Sequence, residues 1–346
     1  MAGGRNVQIF LFFISFQLFY EKYFFFFNRL SGGRGYFVKK DMRKTYHICL
    51  SGGDELLFRR DEDYVRGFNC LALAAYETES VILADSLMSN HIHTCVRTSD
   101  PKALVSRWRI PYSRYFNSRY GRKGRLGEPE PFIVELSGFY HILTAICYIL
   151  RNALHHGIAP TPFGYKHSSA NSYFRKELGK FLDEALLPPK SYYKFLPRNV
   201  SYPDNYKMTE SGLLVRETVI DVADVEHMFG TPRTFLYYMN RLSSEEWIKE
   251  QAKDDNGLPP VTLESIEKGI SFQSLKSMFS SEGGRCNYNA LNDIQVCDVI
   301  DSEILPRFNQ SSVYRMSLSE LHRAAELLRR NYHLPEFQIR RCLAMG

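Results

Sequence analysis

The stretch Ser80-Val-Ile-Leu-Ala-Asp-Ser-Leu-Met-Ser-Asn-His-Ile-His-Thr-Cys-Val96 decides the fold. Ser80 to Leu87 is apolar and partly β-branched, as a buried strand requires. Ser89-Asn90 is turn chemistry. His91 to Val96 then alternates and predicts a second strand, running back along the first. Side chains on a strand point to opposite faces in turn, so Ile92 faces one way while His91 and His93 share the other face.

Working outward, residues 45–51 alternate as a strand ended by Gly52-Gly53. Asp61 to Tyr76 reads as a helix with apolar residues at Val65, Phe68, Leu71 and Ala75. Residues 101–120 predict a basic helix, bent or broken at Pro111. Ser137 to His155 is a strongly periodic helix. This β-α-β-β-α-like order predicts an α+β sandwich built on an antiparallel sheet. A boundary is expected in the loop-rich stretch 195–215, with helices over 218–250, linkers at 253–261 and 280–288, and a separate helical unit in the last 30 residues. There Ser317-Leu-Ser-Glu320 has the pattern of a capping box. A turn at Asn331–Pro335 fits either a helix-turn-helix or a plain helical hairpin.

Three groups of residues carry candidate chemistry. His91 and His93 on one rigid face make a pair of metal ligands. Cys95 shares that face, and a soft thiolate there would favour zinc over Mg²⁺ or Mn²⁺. On the helix 137–155, Ile142, Leu143, Ile146, Ile149, Leu150, Ala153 and Leu154 form an apolar stripe, and Tyr148 lies about 180° from Phe139, opposite that stripe. Asn152 follows one turn later on the Tyr148 face, so the two can reach a common object. Residues 101–127 hold Lys102, Arg107, Arg109, Arg114, Arg119, Arg122, Lys123 and Arg125 and no acid, interleaved with Trp108, Tyr112, Tyr115, Phe116 and Tyr120. Cations for phosphates beside aromatics for bases suit single-stranded nucleic acid; a solvated basic helix is the plainer reading.

With these segments in view the chain resembles the HUH single-tyrosine transposases, in particular the REP-associated tyrosine transposases of bacteria. The resemblance rests on Tyr46-His-Ile-Cys-Leu-Ser-Gly-Gly53, Leu87-Met-Ser-Asn-His-Ile-His93, Tyr115-Phe-Asn-Ser-Arg-Tyr-Gly-Arg-Lys-Gly124, Tyr148-Ile-Leu-Arg-Asn152 and Tyr165-Lys-His-Ser-Ser169, in the family's order over about residues 42–175. It implies a ferredoxin-like or RRM-like antiparallel sheet with helices on one face, plus a mainly helical C-terminal region. It implies His91, His93 and Asn152 as ligands of a divalent Mg²⁺ or Mn²⁺ ion and Tyr148 as the nucleophile on single-stranded DNA, at hairpin or repeat ends. The cations and aromatics of the basic segment are expected to contact DNA, at Arg107, Trp108, Arg109, Arg114, Tyr115, Arg119, Arg122, Lys123 and Arg125, and a homodimer is the expected assembly if the chain is not a monomer. Two places depart from the family: Gly127-Glu-Pro-Glu-Pro131 replaces its Trp-Gln-Gly-Arg-type run, and Asn152-Ala153 replaces its Asn-Pro.

The whole chain agrees with such a partner. It has 346 residues and a net charge of +6, which makes nucleic acid a plausible ligand. Seven cysteines without a Cys-x-x-Cys pair read as reduced thiols of a cytoplasmic protein. Residues 1–41 are expected outside the fold, because Glu21-Lys22 interrupts the apolar run from Ile9; a membrane anchor is the alternative. The expected division is then 1–41, a catalytic domain at 42–195, a helical accessory region at 196–300 and the C-terminal unit at 301–346. Two other functions compete: a non-cleaving single-stranded nucleic-acid-binding regulator on the same fold, and a zinc hydrolase using His91, His93 and Cys95.

Overall fold

Four strands form one antiparallel sheet: β1 (Lys44–Ser51), β2 (Val81–Leu87), β3 (His91–Thr98) and β4 (Phe132–Leu136). The order is β2-β3-β1-β4, that of a ferredoxin-like β-α-β-β-α-β sandwich. The computed structural model describes residues 43–345 apart from 183, 198–199, 242–243, 269 and 271–290. The segment 1–41, the linker at 280–288 and Cys286 therefore lie outside the described residues. The strand β4 was not expected. It is only five residues long and follows a proline-rich loop, so it shows little alternation of its own.

Register fixes the faces. β1 pairs with β3 so that Ser51 meets His91, Cys49 meets His93 and His47 meets Cys95. Those six residues share one face. Ile48, Leu50, Ile92 and Thr94 share the other, where they close a small apolar cavity with Leu71 of α1 (Asp61–Glu77) and Leu104, Val105 and Trp108 of α2 (Pro101–Tyr120). The two crossover helices thus cover one face, as expected. The helix that carries Tyr148, α3 (Phe139–Leu150), packs on β2 and β3 from the opposite side and is continued after Arg151 by the single turn α4 (Asn152–His155). No break occurs in α2 at Pro111. Trp108, Tyr112, Phe116 and Tyr120 bury one side of it over its whole second half, and that packing outweighs the one hydrogen bond proline removes.

Beyond the sandwich, the elements among the described residues are helices and short 3-10 turns. α5 (Arg216–Val219), α6 (Val222–Phe229), α7 (Pro232–Asn240), α8 (Ser244–Gln251) and α9 (Leu263–Glu267) add Val225, Phe229, Phe235, Met239, Trp247 and Ile266 to the core of the sandwich. The stretch 253–261, expected as a linker, is tied down. Gln251 bonds both the amide and the carbonyl of Val261, and Asp254 accepts from the amides of Tyr140 and His141 at 3.0 and 2.7 Å. The Asp254 carboxylate caps the N-terminus of α3 from outside the helix, where the backbone dipole favours it. Gly138, the residue before α3, has φ +92°, and a Cβ there would sit 2.5 Å from the Asp254 carboxyl carbon, so only glycine admits this cap.

A second core gathers α10 (Asp293–Val299), the π-helical stretch Ile300–Ile304 that follows it, α11 (Leu318–Tyr332) and α12 (Glu336–Cys342). Ser317 and Glu320 form the expected capping box at the start of α11. Arg341 of α12 is 4 % exposed and bonds Asp293 at 2.9 Å, and Ser89 Oγ donates to the same carboxylate at 2.6 Å. Burial works against the Asp293 charge, but Arg341 outweighs it and holds the carboxyl below its ordinary range. Because Ser89 lies two residues before His91, the C-terminal unit grips the turn that presents the histidines. Arg341 is consumed by this pair, and α12 offers Arg340 alone of its two arginines to solvent. Among the described residues no helix is long and apolar enough to cross a membrane.

Replacing Arg341 by Ala leaves Asp293 charged and buried, so unfolding should become easier by about 3–5 kcal/mol. Arg329→Ala, which removes an exposed pair with Glu336, should leave the midpoint in place. Denaturant titration of both variants checks this, and equal midpoints would refute the assignment.

Candidate active site

The site forms where the histidine face of the sheet meets α3 and α4. His91, His93 and Asn152 are each no more than 1 % exposed, while Tyr148 stays partly open. The His91 and His93 rings lie 5.0 Å apart. His91 Nε2 is 3.2 Å from Asn152 Oδ1, and the other end of the same amide, Nδ2, donates to the Tyr148 hydroxyl at 3.2 Å. The Tyr148 ring stands edge-on to His93 at 5.3 Å. The four residues chosen from the sequence therefore meet in one place.

Protonation decides what they can do. Burial pushes His91 down to about 4 and His93 well below its ordinary value, so both are neutral imidazoles near neutral pH. A neutral ring has one N–H, yet His91 faces two carbonyl oxygens: Asn90 Oδ1 at 2.9 Å from Nδ1 and Asn152 Oδ1 at 3.2 Å from Nε2. With the proton on Nδ1 for Asn90, two lone pairs face each other across 3.2 Å, an arrangement that a cation would relieve. His93 Nε2 is buried without a partner among the described residues, and its Nδ1 lies 3.0 Å from His47 Nε2. A proton on His93 Nδ1, donated to His47, leaves Nε2 as a bare donor atom, the usual outer-sphere support of a ligating histidine. These groups fit a divalent ion. Among the described residues no three His, Cys, Asp or Glu side chains are arranged to hold one, so the residues that could hold an ion here are His91 and His93 with the Asn152 amide oxygen as third donor. Cys95 is outside this group. Burial pushes its thiol up to about 12, and with His91 and His93 it makes no group of three placed to hold an ion.

Four nearby groups were not picked out from the sequence. His47 reaches His93 from β1, on the matching face, and strand alternation alone could have flagged it. His156 stacks edge-on to His91 at 5.3 Å, with its Nε2 buried and without a partner among the described residues. His155 and Glu267 form a pair at 3.0 Å. Glu267 Oε1 also accepts from the Tyr148 hydroxyl at 3.1 Å. Glu267 is 119 residues from Tyr148 along the chain, and no local pattern connects them.

The basic segment is used differently from expectation. Trp108 is 3 % exposed and its indole N–H donates to the Gly67 carbonyl, so it is core and cannot stack on a base. Tyr115 is half-buried with its hydroxyl on Asp63. Arg122 is held bidentately by Glu55 at 2.6 and 2.7 Å, Arg119 lies near Glu62 and Asp63, Arg107 near Glu77, and Arg109 donates to the Pro129 carbonyl. Arg114, Lys123 and Arg125 are exposed and, among the described residues, in no ion pair. The helix α2 also sits behind the sheet, away from Tyr148. The loop after it returns to the site: Glu128 donates its amide to the carbonyl of Ser51, the register partner of His91.

No family model matches the chain, and no curated protein matches it. Among solved structures it is similar to one described as a REP-associated tyrosine transposase bound to a REP hairpin, with 15% identity over 50% of this chain and 98% of that chain. The TM-score of 0.31 is too low for that likeness to bear on fold or chemistry.

If Trp108 is core, Trp108→Ala should cost about 3–5 kcal/mol of stability, whereas Arg114→Ala, Lys123→Ala and Arg125→Ala should each stay within about 0.5 kcal/mol. Thermal melts of the four variants decide it; an unshifted Trp108→Ala melt would return that side chain to the surface.

Proposed function

We propose that this chain cleaves and rejoins single-stranded DNA, with Tyr148 as nucleophile and a Mg²⁺ or Mn²⁺ ion held by His91, His93 and Asn152. The observation that carries this reading is the Asn152 side chain, one end of which faces the His91 ring nitrogen while the other bonds the Tyr148 hydroxyl. A ligand set and a nucleophile joined through a single amide is what attack on a bound phosphodiester needs. The ion, when bound, would withdraw charge from a nonbridging phosphate oxygen. The protein's own part is to hold the three donors neutral and fixed and to aim the hydroxyl. Tyr148 Oη attacks phosphorus, the bond to the 3′ oxygen breaks, and a 5′-phosphotyrosine and a 3′-OH result. The phosphoryl bond energy is conserved, so a 3′-OH can reverse the step and join strands without ATP.

DNA contact falls to fewer cations than the sequence alone suggests. Arg114, Lys123 and Arg125 remain available, and the loop of the last two leads to the His91 end of the sheet. Three phosphate contacts would give log K falling against log salt with a slope of about −2 on a single strand. A slope near zero, or one unchanged in the triple alanine variant, would remove these residues from the interface.

Incubation with end-labelled single-stranded DNA and Mn²⁺, followed by a denaturing gel, tests the chemistry. Wild type should give a covalent protein–DNA band. Tyr148→Phe removes one oxygen, so the band should vanish while DNA binding persists, and His91→Ala or excess chelator should do the same. An adduct mapped to another tyrosine, or one formed in chelator, would overturn the assignment. Binding with no adduct in the wild type would leave the non-cleaving regulator.

A further inference from the structure

Tyr148 has two hydrogen-bond partners, and they differ in kind. Asn152 Nδ2 donates to the phenol oxygen, so the single hydroxyl hydrogen must point the other way, to Glu267 Oε1 at 3.1 Å. Glu267 ends α9, whose Ile266 is buried in the main core and whose N-cap Thr262 follows Val261, fixed through both backbone groups by Gln251. The carboxylate is 12 % exposed, and His155 Nε2 approaches the same oxygen at 3.0 Å from the turn that follows Asn152. A short anchored helix thus sets one acid against the hydroxyl from outside the sandwich.

We infer that Glu267 is the general base of the strand-cleavage step, accepting the Tyr148 proton as the phenol oxygen bonds to phosphorus, with His155 positioning the carboxylate. The inference rests on the reading of Tyr148 as nucleophile. In the step the O–P bond forms from Tyr148, the bond from phosphorus to the 3′ oxygen breaks, the tyrosine proton moves to Glu267, and the departing 3′ oxygen takes a proton from water. Rejoining reverses each transfer and returns the proton to Tyr148. The need for an acceptor is physical. A tyrosine hydroxyl ordinarily titrates at about 10 and is protonated at neutral pH, so the proton must leave during attack, and its hydrogen already points at Glu267 Oε1. The ligand histidines cannot take it, because the nitrogens they would use face the metal position.

Glu267→Gln keeps size and shape but cannot accept the proton. Adduct formation in Mn²⁺ should slow by about 10²–10⁴-fold, while the Kd for single-stranded DNA, read by fluorescence anisotropy, stays within about twofold. Glu267→Asp, which keeps an acid on a shorter stem, should recover part of the rate. If Glu267 instead only caps the site, the Gln variant would bind DNA more tightly and react as fast or faster, and the inference would be wrong. Equal losses in the Gln and Asp variants with a lowered melting temperature would likewise reduce Glu267 to a structural tie. A wild type that never forms the adduct sinks the parent reading and this one with it, whereas a reactive wild type with an unaffected Gln variant sinks this one alone.

Discussion

Everything at the site depends on the antiparallel pairing of β1 with β3. Because the strand period is two, the pairing that buries Ile92 against α1 and α2 must turn His91 and His93 to the other face. A slip of one residue would send both imidazoles into the apolar core and Ile92 to the site. Register is therefore enforced twice: by the cost of burying polar groups in the core, and by the contact of His47 with His93 across the strands. The grip of Asp293 on Ser89 fixes the turn at the end of the pair. The helix α3 then needs only the correct rotation to bring Tyr148 and Asn152 over the histidines, and its apolar stripe supplies that.

The legible part of the structure is the part written in local periods. β1, β2, β3 and the helices around them follow from alternation and from the helical repeat, and His91, His93, Tyr148 and Asn152 follow from faces of single elements. β4 escaped because five residues after a proline-rich loop carry too little period. Glu267 escaped for a different reason. It reaches Tyr148 only through the packing of α8 and α9 on the sandwich, and neither helix signals where it will dock. His155 was overlooked although its distance from Asn152, three residues, already placed it near the same end of the helix.

The basic segment shows how one pattern can support two readings. Its cations and aromatics were read together as a nucleic-acid surface. The spacing of Trp108, Tyr112, Phe116 and Tyr120 is four residues each time, which on a helix is a single stripe. A stripe of large aromatics buries more area than any other arrangement of the same residues, so the core claims it first. The cations on the flanks then meet acids the stretch itself lacks: Glu55, Glu62, Asp63 and Glu77. An acid-free segment is not an unpaired one, because its partners can come from a neighbouring element, here α1 and the loop before it.

Burial has opposite effects on the two halves of the site. Removing water from His91 and His93 keeps them neutral, and neutral imidazoles are what metal ligation requires. Removing water from Tyr148 favours the phenol over the phenolate, which opposes nucleophilic attack. A pocket dry enough to keep the imidazoles neutral would thus make a tyrosine nucleophile reluctant. In the proposed reaction a cation held by His91, His93 and Asn152 would offset part of that penalty. The hydroxyl hydrogen points to the Glu267 carboxylate, which His155 also approaches. If Glu267 acts as inferred, the accessory helices do more than complete the core: they would supply the acceptor for the proton of a hydroxyl that the sandwich positions.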